Sequence, residues 1–385
     1  MQILHTHQNS LEFRVPNGSV GIGYNQTLKV DGIVIDKIYG LESISGLSLN
    51  PSTNILEGVP QIDGDFSLRV KTSQSPKEAY LHITINPNPK SLWQDIAPDK
   101  NAIFFKPNSY CTHIETPDKM RLLSASQRGR SHAHSGKFRD DDSHIAYSDS
   151  GWSILAVADG AGSCELSRRG SQIAVNSSIK ALEKLLDSHT IDESDELLVA
   201  KLETTIIKAV HTALQDIEKE SKAIDRDIKE FSTTLLLTAH KKRKNSHLII
   251  TFWIGDGALA LYQKDSVTIL GSPDSSQYAG ETKFLDYKSI ENSQKRVTIS
   301  IVDEFEALIL LTDGVSDPMF KTAHELYNID IWHRFFEYEG LRDIITDKNI
   351  EIASKGLLAW LDFWQVGSHD DRSVAVLMPQ TREKL

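Results

Sequence analysis

Residues 153–163 read SILAVADGAGS, and they set the architecture expected for the larger part of the chain. A mostly apolar run, residues 153–158, has the length of a buried strand and ends at Asp159, with glycines at positions 160 and 162. Such a pattern places a carboxylate where the chain leaves a sheet. Alone, it predicts only an ordinary Asp-Gly turn.

Four further apolar stretches carry carboxylates at one end. These are Asp256 after 249–254, Asp313 after 307–312, Asp370 and Asp371 before 374–377, and Asp140, Asp141 and Asp142 before 144–147. Carboxylates that converge repel one another unless cations hold them. Because no set of His or Cys accompanies them, these hard oxygen ligands favour Mg²⁺ or Mn²⁺ over Zn²⁺. The five strand ends together predict a metal site.

The elements around these aspartates alternate between apolar strands and amphipathic helices. Helices are expected over residues 166–187, 196–222 and 325–364. Strands are expected over 233–240, 248–254, 258–263, 297–301, 307–312 and 373–378. This order, with two helices after the first strands and more before the last, predicts an α+β sandwich rather than a doubly wound sheet.

Residues 1–88 have the pattern of a small all-β domain. Phe66, Leu68 and Val70 alternate with polar residues, and residues 81–85 repeat the alternation. Residues 46–70 resemble the Ig-like repeats of many bacterial proteins, with a G-x-P corner at 58–60 and a final strand GDFSLRV at 64–70. The resemblance implies a β-sandwich that serves as a spacer or adhesive module. A β-sandwich with no function except as a spacer is an equally weighted alternative.

Prolines mark the expected domain boundary. Residues 87–118 hold five of the twelve prolines, and proline is excluded from helix interiors and central strands. We therefore expect a Pro-rich linker over 89–118, between the Ig-like domain and a second domain over 119–385.

Composition narrows the classes of partner. The net charge of −11 argues against nucleic acid, since nothing concentrates the Lys and Arg that phosphate contacts require. The one basic run, residues 241–244, lies between apolar stretches and reads as a hairpin tip. No apolar run approaches the ~20 residues that span a bilayer, and the two cysteines, Cys111 and Cys164, suit a reducing compartment. We expect a soluble, cytoplasmic protein with no membrane partner.

Five short motifs resemble those of the PPM (type 2C) protein phosphatases, in their order and over roughly residues 120–379. They are AVADGAGS at 156–163, FSTTL at 231–235, WIGDG at 253–257, LLTDGVSD at 310–317 and HDDRSV at 369–374. Arg128-Gly129 and Ser131-His132, ahead of the acidic pair, are similar to a bacterial branch of the family. The resemblance implies an α+β domain built as a four-layer α-β-β-α phosphatase sandwich.

The resemblance also implies a centre of two Mn²⁺ or Mg²⁺ ions between the two sheets. In it, Asp159 would bridge both ions and Gly160 would offer its carbonyl to one of them. Asp313 and Asp370 would hold the second ion. The implied reaction is hydrolysis of phosphoserine or phosphothreonine by direct attack of a water or hydroxide that bridges the metals.

Further acidic positions are assigned by the same resemblance. Asp140 or Asp141 would lie near the second ion, directly or through water. Asp256 and Asp317 match the positions that bind a third, weaker ion in some members. Asp317 follows Asp313 by four residues, so one helical turn could aim both at the site.

Phosphate binding and proton donation need further residues. Arg128 is the candidate phosphate clamp, because a planar guanidinium suits phosphate and Arg128 precedes the acidic pair; Arg139 is the alternative. His132 or His134 is the candidate acid for the leaving oxygen, and for both the alternative is a place in a surface loop.

The sequence departs from the family pattern at Ala161, at Asp140 and at Phe231, where many members have His or Met, Glu, and Gly. None of these changes removes a predicted carboxylate ligand, so activity is expected. The alternatives are a pseudophosphatase that acts as a binding or regulatory module, and a phosphatase for a small molecule or an anti-sigma-type regulator. The expected partners are a phosphoprotein substrate and a cognate Ser/Thr kinase, which the N-terminal domain would help to dock.

Overall fold

The structure is a computed structural model that describes residues 2–7, 10–30, 32–72, 78–88, 91, 93–188, 197–271, 274 and 282–380. The chain divides into two compact units, Met1–Gln94 and Asp95–Leu385. None of the described helices has the length and apolar character that crossing a bilayer requires.

The first unit is built from strands. They are β1 (Gln2–His7), β2 (Ser10–Arg14), β3 (Gly18–Ser19), β4 (Tyr24–Thr27), β5 (Lys29–Val30), β6 (Ile33–Ile38), β7 (Leu47–Asn50), β8 (Ile55–Gly58), β9 (Gly64–Thr72) and β10 (Glu78–Asn86). A larger sheet has the order β1-β2-β10-β9-β6-β5 with β3 beside β10, and a smaller one has the order β4-β8-β7. A single 3-10 turn, Leu41–Ser43, interrupts the described strands.

The predicted alternation in this unit is confirmed. In β9 and β10, Leu68, Val70, Leu81, Ile83 and Ile85 are buried while their neighbours in sequence are exposed or half-buried. Side chains from both sheets join one apolar core, so a β-sandwich fits the unit. Its Ig-like assignment stays a prediction.

The second unit mixes strands and helices. Its strands are β11 (Ser109–Glu115), β12 (Met120–Gln127), β13 (Asp142–Tyr147), β14 (Trp152–Ala158), β15 (Leu235–Lys242), β16 (His247–Ile254), β17 (Ala258–Tyr262), β18 (Val267–Ile269), β19 (Val297–Val302), β20 (Ala307–Leu311) and β21 (Arg372–Pro379). Its helices are α1 (Arg130–Ser135), α2 (Ser167–Ser188), α3 (Leu198–Ala223), α4 (Asp313–Met319), α5 (Ile329–Glu337), α6 (Leu341–Ile345) and α7 (Ile350–Trp360). Shorter 3-10 turns are Ile228–Phe231, Ser293–Arg296, Ala323–Tyr327 and Tyr338–Gly340.

The strands of this unit form two antiparallel sheets, in the orders β11-β12-β21-β20-β17-β18 and β13-β14-β15-β16-β19. Leucines of both sheets, such as Leu155 and Leu308, share one core between them. The outer faces pack against helices, with α2 and α3 on the second sheet and α5 to α7 on the first. The four-layer α-β-β-α sandwich is therefore confirmed, as is the α+β class.

The helices follow the apolar spacing in the sequence. In α3, the residues that recur at near-helical spacing are all buried: Leu198, Leu202, Ile206, Ala209, Ala213 and Ile217. The basic run is a hairpin tip, as predicted, since Arg243 N donates to Ser246 O at 2.8 Å between β15 and β16.

The predicted linker, residues 89–118, differs from the structure. The second unit begins at Asp95, and β11 pairs along its length with β12. Pro107 stands before this edge strand and Pro117 in the turn after it, so neither removes one of its hydrogen bonds. Pro107 and Pro117 therefore mark the two ends of a strand that lies inside the predicted linker.

Candidate metal centre

The acidic residues adjoin strand ends, and these strand ends lie side by side at one end of each sheet. In an antiparallel sheet, the end of one strand lies beside the start of the next. Asp142 at the start of β13 is thus paired with Ala158 at the end of β14, and Leu311 at the end of β20 is paired with Val374 in β21. The aspartates that adjoin these ends are brought together, as the sequence predicts.

Three carboxylates form the middle of the cluster. Asp159, Asp256 and Asp313 each place an oxygen within 4.8 Å of the others, and all three are half-buried. They come from the ends of β14 and β16 and from the first residue of α4. Three segments far apart in sequence therefore converge on one small volume.

The backbone of Asp159 is held by two threonines. Its N–H donates to Thr234 Oγ1 at 2.8 Å, and its carbonyl accepts from Thr233 Oγ1 and Thr234 N, both at 2.8 Å. Gly160 forms an isolated bridge with Thr233 in the same place. The Ser-Thr-Thr motif thus fixes the point at which the chain turns out of β14.

Helix α4 presents two carboxylates one turn apart, as the spacing of Asp313 and Asp317 predicts. Gly314 lets this helix approach the chain before β21, since a Cβ at Gly314 would lie 1.9 Å from Asp371 O. Asp317 is exposed, whereas Asp313 is half-buried. The acidic group therefore extends from the interior towards solvent.

Of the two candidates before β13, Asp141 faces the cluster. It is buried, and Thr312 Oγ1 donates to its Oδ2 at 2.7 Å. The charge of Asp141 also raises the pKa of both Asp159 and Asp313, after burial as the main cause. Asp140 instead lies beside His132, with 3.8 Å between Asp140 Oδ2 and His132 Nε2.

Asp371 organises the loop that carries these residues. Its Oδ1 accepts from Gly129 N at 2.6 Å, and its Oδ2 accepts from Asp140 N and lies 3.0 Å from His132 Nδ1. Burial raises the pKa of Asp371, but its bonds and charge interaction with His132 outweigh burial and lower it. Asp371 belongs to the HDDRSV motif, but nothing in the sequence indicates this role.

His132, and not the exposed His134, belongs to the cluster, within 4.8 Å of Asp370 and Asp371. Burial lowers the pKa of His132, but the hydrogen bond and charge of Asp371, with the charge of Asp140, raise it to about 9. The neighbouring carboxylates therefore favour the protonated form of the imidazole.

Burial and mutual repulsion raise the pKa values of the clustered carboxyls. The pKa of Asp159 rises well above its usual value through burial and the charge of Asp313, and that of Asp313 rises through burial and the charge of Asp141. Burial and the charge of Asp371 raise the pKa of Asp141 to about 7 and that of Asp140 to about 6. These groups are destabilised as anions by one another.

Divalent cations fit this donor set. Within the described part of the chain, Asp256 Oδ1 is buried and has no hydrogen-bond partner, while Oδ2 accepts from Thr282. A buried carboxylate oxygen without a partner is costly. A hard cation among several carboxylates would satisfy this oxygen and remove the repulsion, and all-oxygen coordination suits Mg²⁺ and Mn²⁺.

The structure argues against Arg128 as the phosphate clamp. Its guanidinium is buried and donates to Ile96 O at 3.1 Å, to Lys137 O at 2.9 Å and to the Asp95 carboxylate. These bonds tie residues 95–96 to the loop after α1. The alternative, Arg139, is buried too: its Nε donates to Pro107 O at 3.3 Å.

Lys106 is a further residue beside the acidic centre, and it lies in the segment expected to be a linker. Its side chain is 2% exposed, and its ammonium lies 3.1 Å from Asp142 Oδ2. Burial lowers the pKa of Lys106 to about 8, against the opposing charge of Asp142. Lysine is usually exposed, so a single lysine among Phe and Pro gives no sequence signal of burial.

Known proteins resemble this chain as follows. The family profile described as protein phosphatase 2C matches residues 128–362. No curated protein matches the chain. Among solved structures, a serine/threonine phosphatase of Mycobacterium tuberculosis has 19% identity and a TM-score of 0.38, covering 68% of this chain and 99% of its own.

Two further solved structures have similar values. The catalytic domain of the phosphatase PstP, in complex with two manganese ions, has 19% identity and a TM-score of 0.36, with 67% of this chain and 97% of that chain covered. A serine/threonine phosphatase of S. agalactiae has 14% identity and a TM-score of 0.39, with 67% and 99% covered.

Proposed function

The chain belongs to the protein phosphatase 2C family of metal-dependent serine/threonine protein phosphatases, and from that membership we propose how its acidic centre works. The proposal is hydrolysis of phosphoserine and phosphothreonine in proteins, with two Mn²⁺ or Mg²⁺ ions and a third, weaker ion beside them. The observation that carries it is the trio of Asp159, Asp256 and Asp313, with oxygens within 4.8 Å. Asp256 Oδ1, buried and unpaired among the described residues, supports it.

The proposed ligands divide by position. Asp159 lies in the middle of the cluster and would contact both ions, with Gly160 O beside it. Asp141, Asp313 and Asp370 would complete the pair of sites. Asp256, together with the exposed Asp317, would hold a third, weaker ion.

When bound, the ions would supply a water of lowered pKa for attack on phosphorus and positive charge for the phosphate oxygens. The chain's own residues have the complementary tasks. The clustered carboxylates exclude a phosphate dianion while they are uncompensated, because like charges repel at these distances. The exposure of Asp317 and Asp370 leaves one side of the centre open to a protein substrate.

We assign proton donation to His132. Asp371 holds its Nδ1 at 3.0 Å, which leaves Nε2 facing Asp140 at the edge of the centre. A general acid matters most when the leaving oxygen is a poor leaving group. His132→Asn should therefore slow hydrolysis of a phosphothreonine peptide about 10²-fold more than that of p-nitrophenyl phosphate. Equal losses on both substrates would contradict this role, and His134→Asn is the matched control.

The main test is metal-dependent hydrolysis. The wild-type protein should hydrolyse p-nitrophenyl phosphate and phosphothreonine peptides with Mn²⁺ or Mg²⁺ and lose activity in EDTA. Asp159→Asn should abolish activity, whereas Asp265→Asn, at an exposed turn between β17 and β18, should leave it unchanged. Activity that survives in Asp159→Asn would refute the proposed centre.

The pseudophosphatase alternative is not favoured, because an aspartate stands at each position where a metal-binding carboxylate is predicted. It predicts that calorimetry detects no divalent metal binding at millimolar concentrations. A cytoplasmic location remains part of the proposal, on composition alone.

A cognate Ser/Thr kinase is the proposed partner, docked with help from the first unit, which forms a compact body of its own. Removal of residues 1–94 should then slow dephosphorylation of an autophosphorylated kinase and leave hydrolysis of p-nitrophenyl phosphate unchanged. If both rates stay at their wild-type values, the docking role fails.

A further inference from the structure

We infer that Lys106 is a positioning residue for the metal centre, which it orders by holding the backbone on both sides of Asp141. The inference rests on the proposed role of Asp141 as a metal ligand. Lys106 precedes β11 and lies outside the residues 128–362 that match the family profile.

The Lys106 ammonium is surrounded by acceptors from two segments, residues 140–142 and the first turn of α2. It donates to Asp141 O at 2.7 Å, and it lies 3.1 Å from Arg168 O, from Ser171 Oγ and from Asp142 Oδ2. Asp140 O lies farther away, at 3.5 Å, but it accepts a short hydrogen bond from the hydroxyl of Ser171. The ammonium and this hydroxyl therefore form one network beneath residues 140–142.

These bonds act on the two peptide planes that flank Asp141. The carbonyl of Asp140 belongs to the peptide plane before the Cα of Asp141, and the carbonyl of Asp141 belongs to the plane after that Cα. Because a peptide unit is planar, holding both carbonyls restrains both backbone torsions of Asp141, and with them the direction of its Cα–Cβ bond. The hydroxyl of Thr312 then holds the carboxylate itself. The other oxygens of the network, from Asp142 and Arg168, compensate the buried charge of Lys106.

The segment around Lys106 has attachments of its own. Arg139 Nε donates to Pro107 O at 3.3 Å, Arg168 Nε donates to Phe104 O at 3.2 Å, and Arg128 N donates to Asn108 O at 2.7 Å. Loss of the ammonium therefore leaves residues 104–108 attached. Asp142 also keeps one cation, since Arg139 Nη1 lies 3.5 Å from its Oδ1.

The test measures by calorimetry the binding of Mn²⁺ to full-length protein from which EDTA has removed bound metal. Lys106→Met should bind Mn²⁺ at least about tenfold more weakly than wild type, the effect typical of residues that support metal ligands. At saturating Mn²⁺, kcat should fall less than the affinity. Lys100→Met, an exposed lysine in the same segment, should bind as wild type does. A folded Lys106→Met protein with a Kd within twofold of wild type would overturn the inference.

Ser171→Ala is the second variant, because it releases Asp140 O and keeps the buried ion pair. It should weaken Mn²⁺ binding about threefold or more, and it decides the question if Lys106→Met does not fold. Unchanged affinity in Ser171→Ala would then overturn the inference. If the wild-type protein itself binds no Mn²⁺, the proposed function fails and this inference fails with it.

Discussion

The hydroxyl of Thr312 donates a hydrogen bond of 2.7 Å to Oδ2 of Asp141 and thereby joins the two sheets at the acidic centre. Thr312 follows β20 in one sheet, and Asp141 precedes β13 in the other. The hydroxyl oxygen of Thr312 also accepts a hydrogen bond of 2.9 Å from Ser373 N. The relative position of the two sheets is thus coupled to one carboxylate.

Replacement of this hydroxyl should weaken metal binding. We expect Thr312→Val to raise the Kd for Mn²⁺ by about tenfold, as for other groups that orient metal ligands. Thr312→Ser keeps the hydroxyl and should bind Mn²⁺ nearly as wild type does. Calorimetry on both variants checks this, and equal affinities of Thr312→Val and Thr312→Ser would rule out the bond as the cause.

Removal of one central charge should stabilise the metal-free protein. Asp313 is repelled by Asp141 and Asp256, so Asp313→Asn relieves repulsion while its oxygen still accepts from Gly314 N. In EDTA we expect a gain of ~1 kcal/mol, or about 2–4 °C in Tm for a large domain. With Mn²⁺, the variant should be inactive.

The exposed Asp317 is the matched comparison for this gain, since Asp317→Asn should raise the Tm less. Thermal unfolding in EDTA measures both variants. A Tm of Asp313→Asn at or below that of wild type would show that repulsion does not govern the metal-free state.

The close approach of α4 to the chain before β21 predicts a strict requirement at position 314. A Cβ there would lie 1.9 Å from Asp371 O, so Gly314→Ala must displace α4 or the chain beside it. We expect a loss of about 1–3 kcal/mol in the free energy of unfolding, together with weaker Mn²⁺ binding. Gly162→Ala is the control, because a Cβ there meets nothing within 4 Å. Similar losses in both variants would contradict the steric explanation.

A pair of histidines at the other end of β15, of which His240 is buried and His247 half-buried, predicts acid sensitivity. His240 is fully buried, and its Nε2 lies 2.8 Å from His247 Nδ1. Burial, followed by the charges of His247 and Lys242, lowers the pKa of His240 to about 3. Because the unfolded chain binds a proton near pH 6.5, the contribution of neutral His240 is complete above that pH and is lost as the pH falls towards 3.

Between pH 7 and pH 5, the wild-type protein should therefore lose roughly 1–2 kcal/mol more stability than His240→Asn. Urea unfolding at both pH values measures the difference. His134→Asn, at an exposed position, should retain the wild-type dependence. Identical losses in wild type and His240→Asn would refute this assignment.

The sequence predicts the acidic cluster well because its signal is local. Each carboxylate adjoins one end of an apolar strand. Antiparallel pairing brings these strand ends to the same end of a sheet, whatever the length of the connections between the strands. The placement of Asp313 and Asp317 one helical turn apart in α4 likewise follows from a local signal, their spacing of four residues. The helices were predictable from apolar spacing, as the buried face of α3 illustrates.

Long-range polar partners were not predictable. Arg128 has the chemistry of a phosphate clamp, but its bonds to Asp95 and Ile96 depend on a segment over thirty residues away in sequence. Lys106 is buried only because four acceptors meet around it in the folded chain. No periodicity or motif encodes such a meeting, so neither the burial of Lys106 nor the partners of Arg128 can be predicted from the sequence.

The central place of β21 in its sheet, between β12 and β20, bears on how the enzyme is made. Its strand partners were synthesised much earlier, and Met120 pairs with Pro379. Asp370 and Asp371 stand just ahead of β21, so a nascent chain that has not released this strand from the ribosome lacks part of the acidic centre. Non-local pairing of this kind is slow to form. We therefore expect phosphatase activity only after β21 has left the ribosome and paired, and no activity towards phosphoproteins from a chain arrested before residue 370.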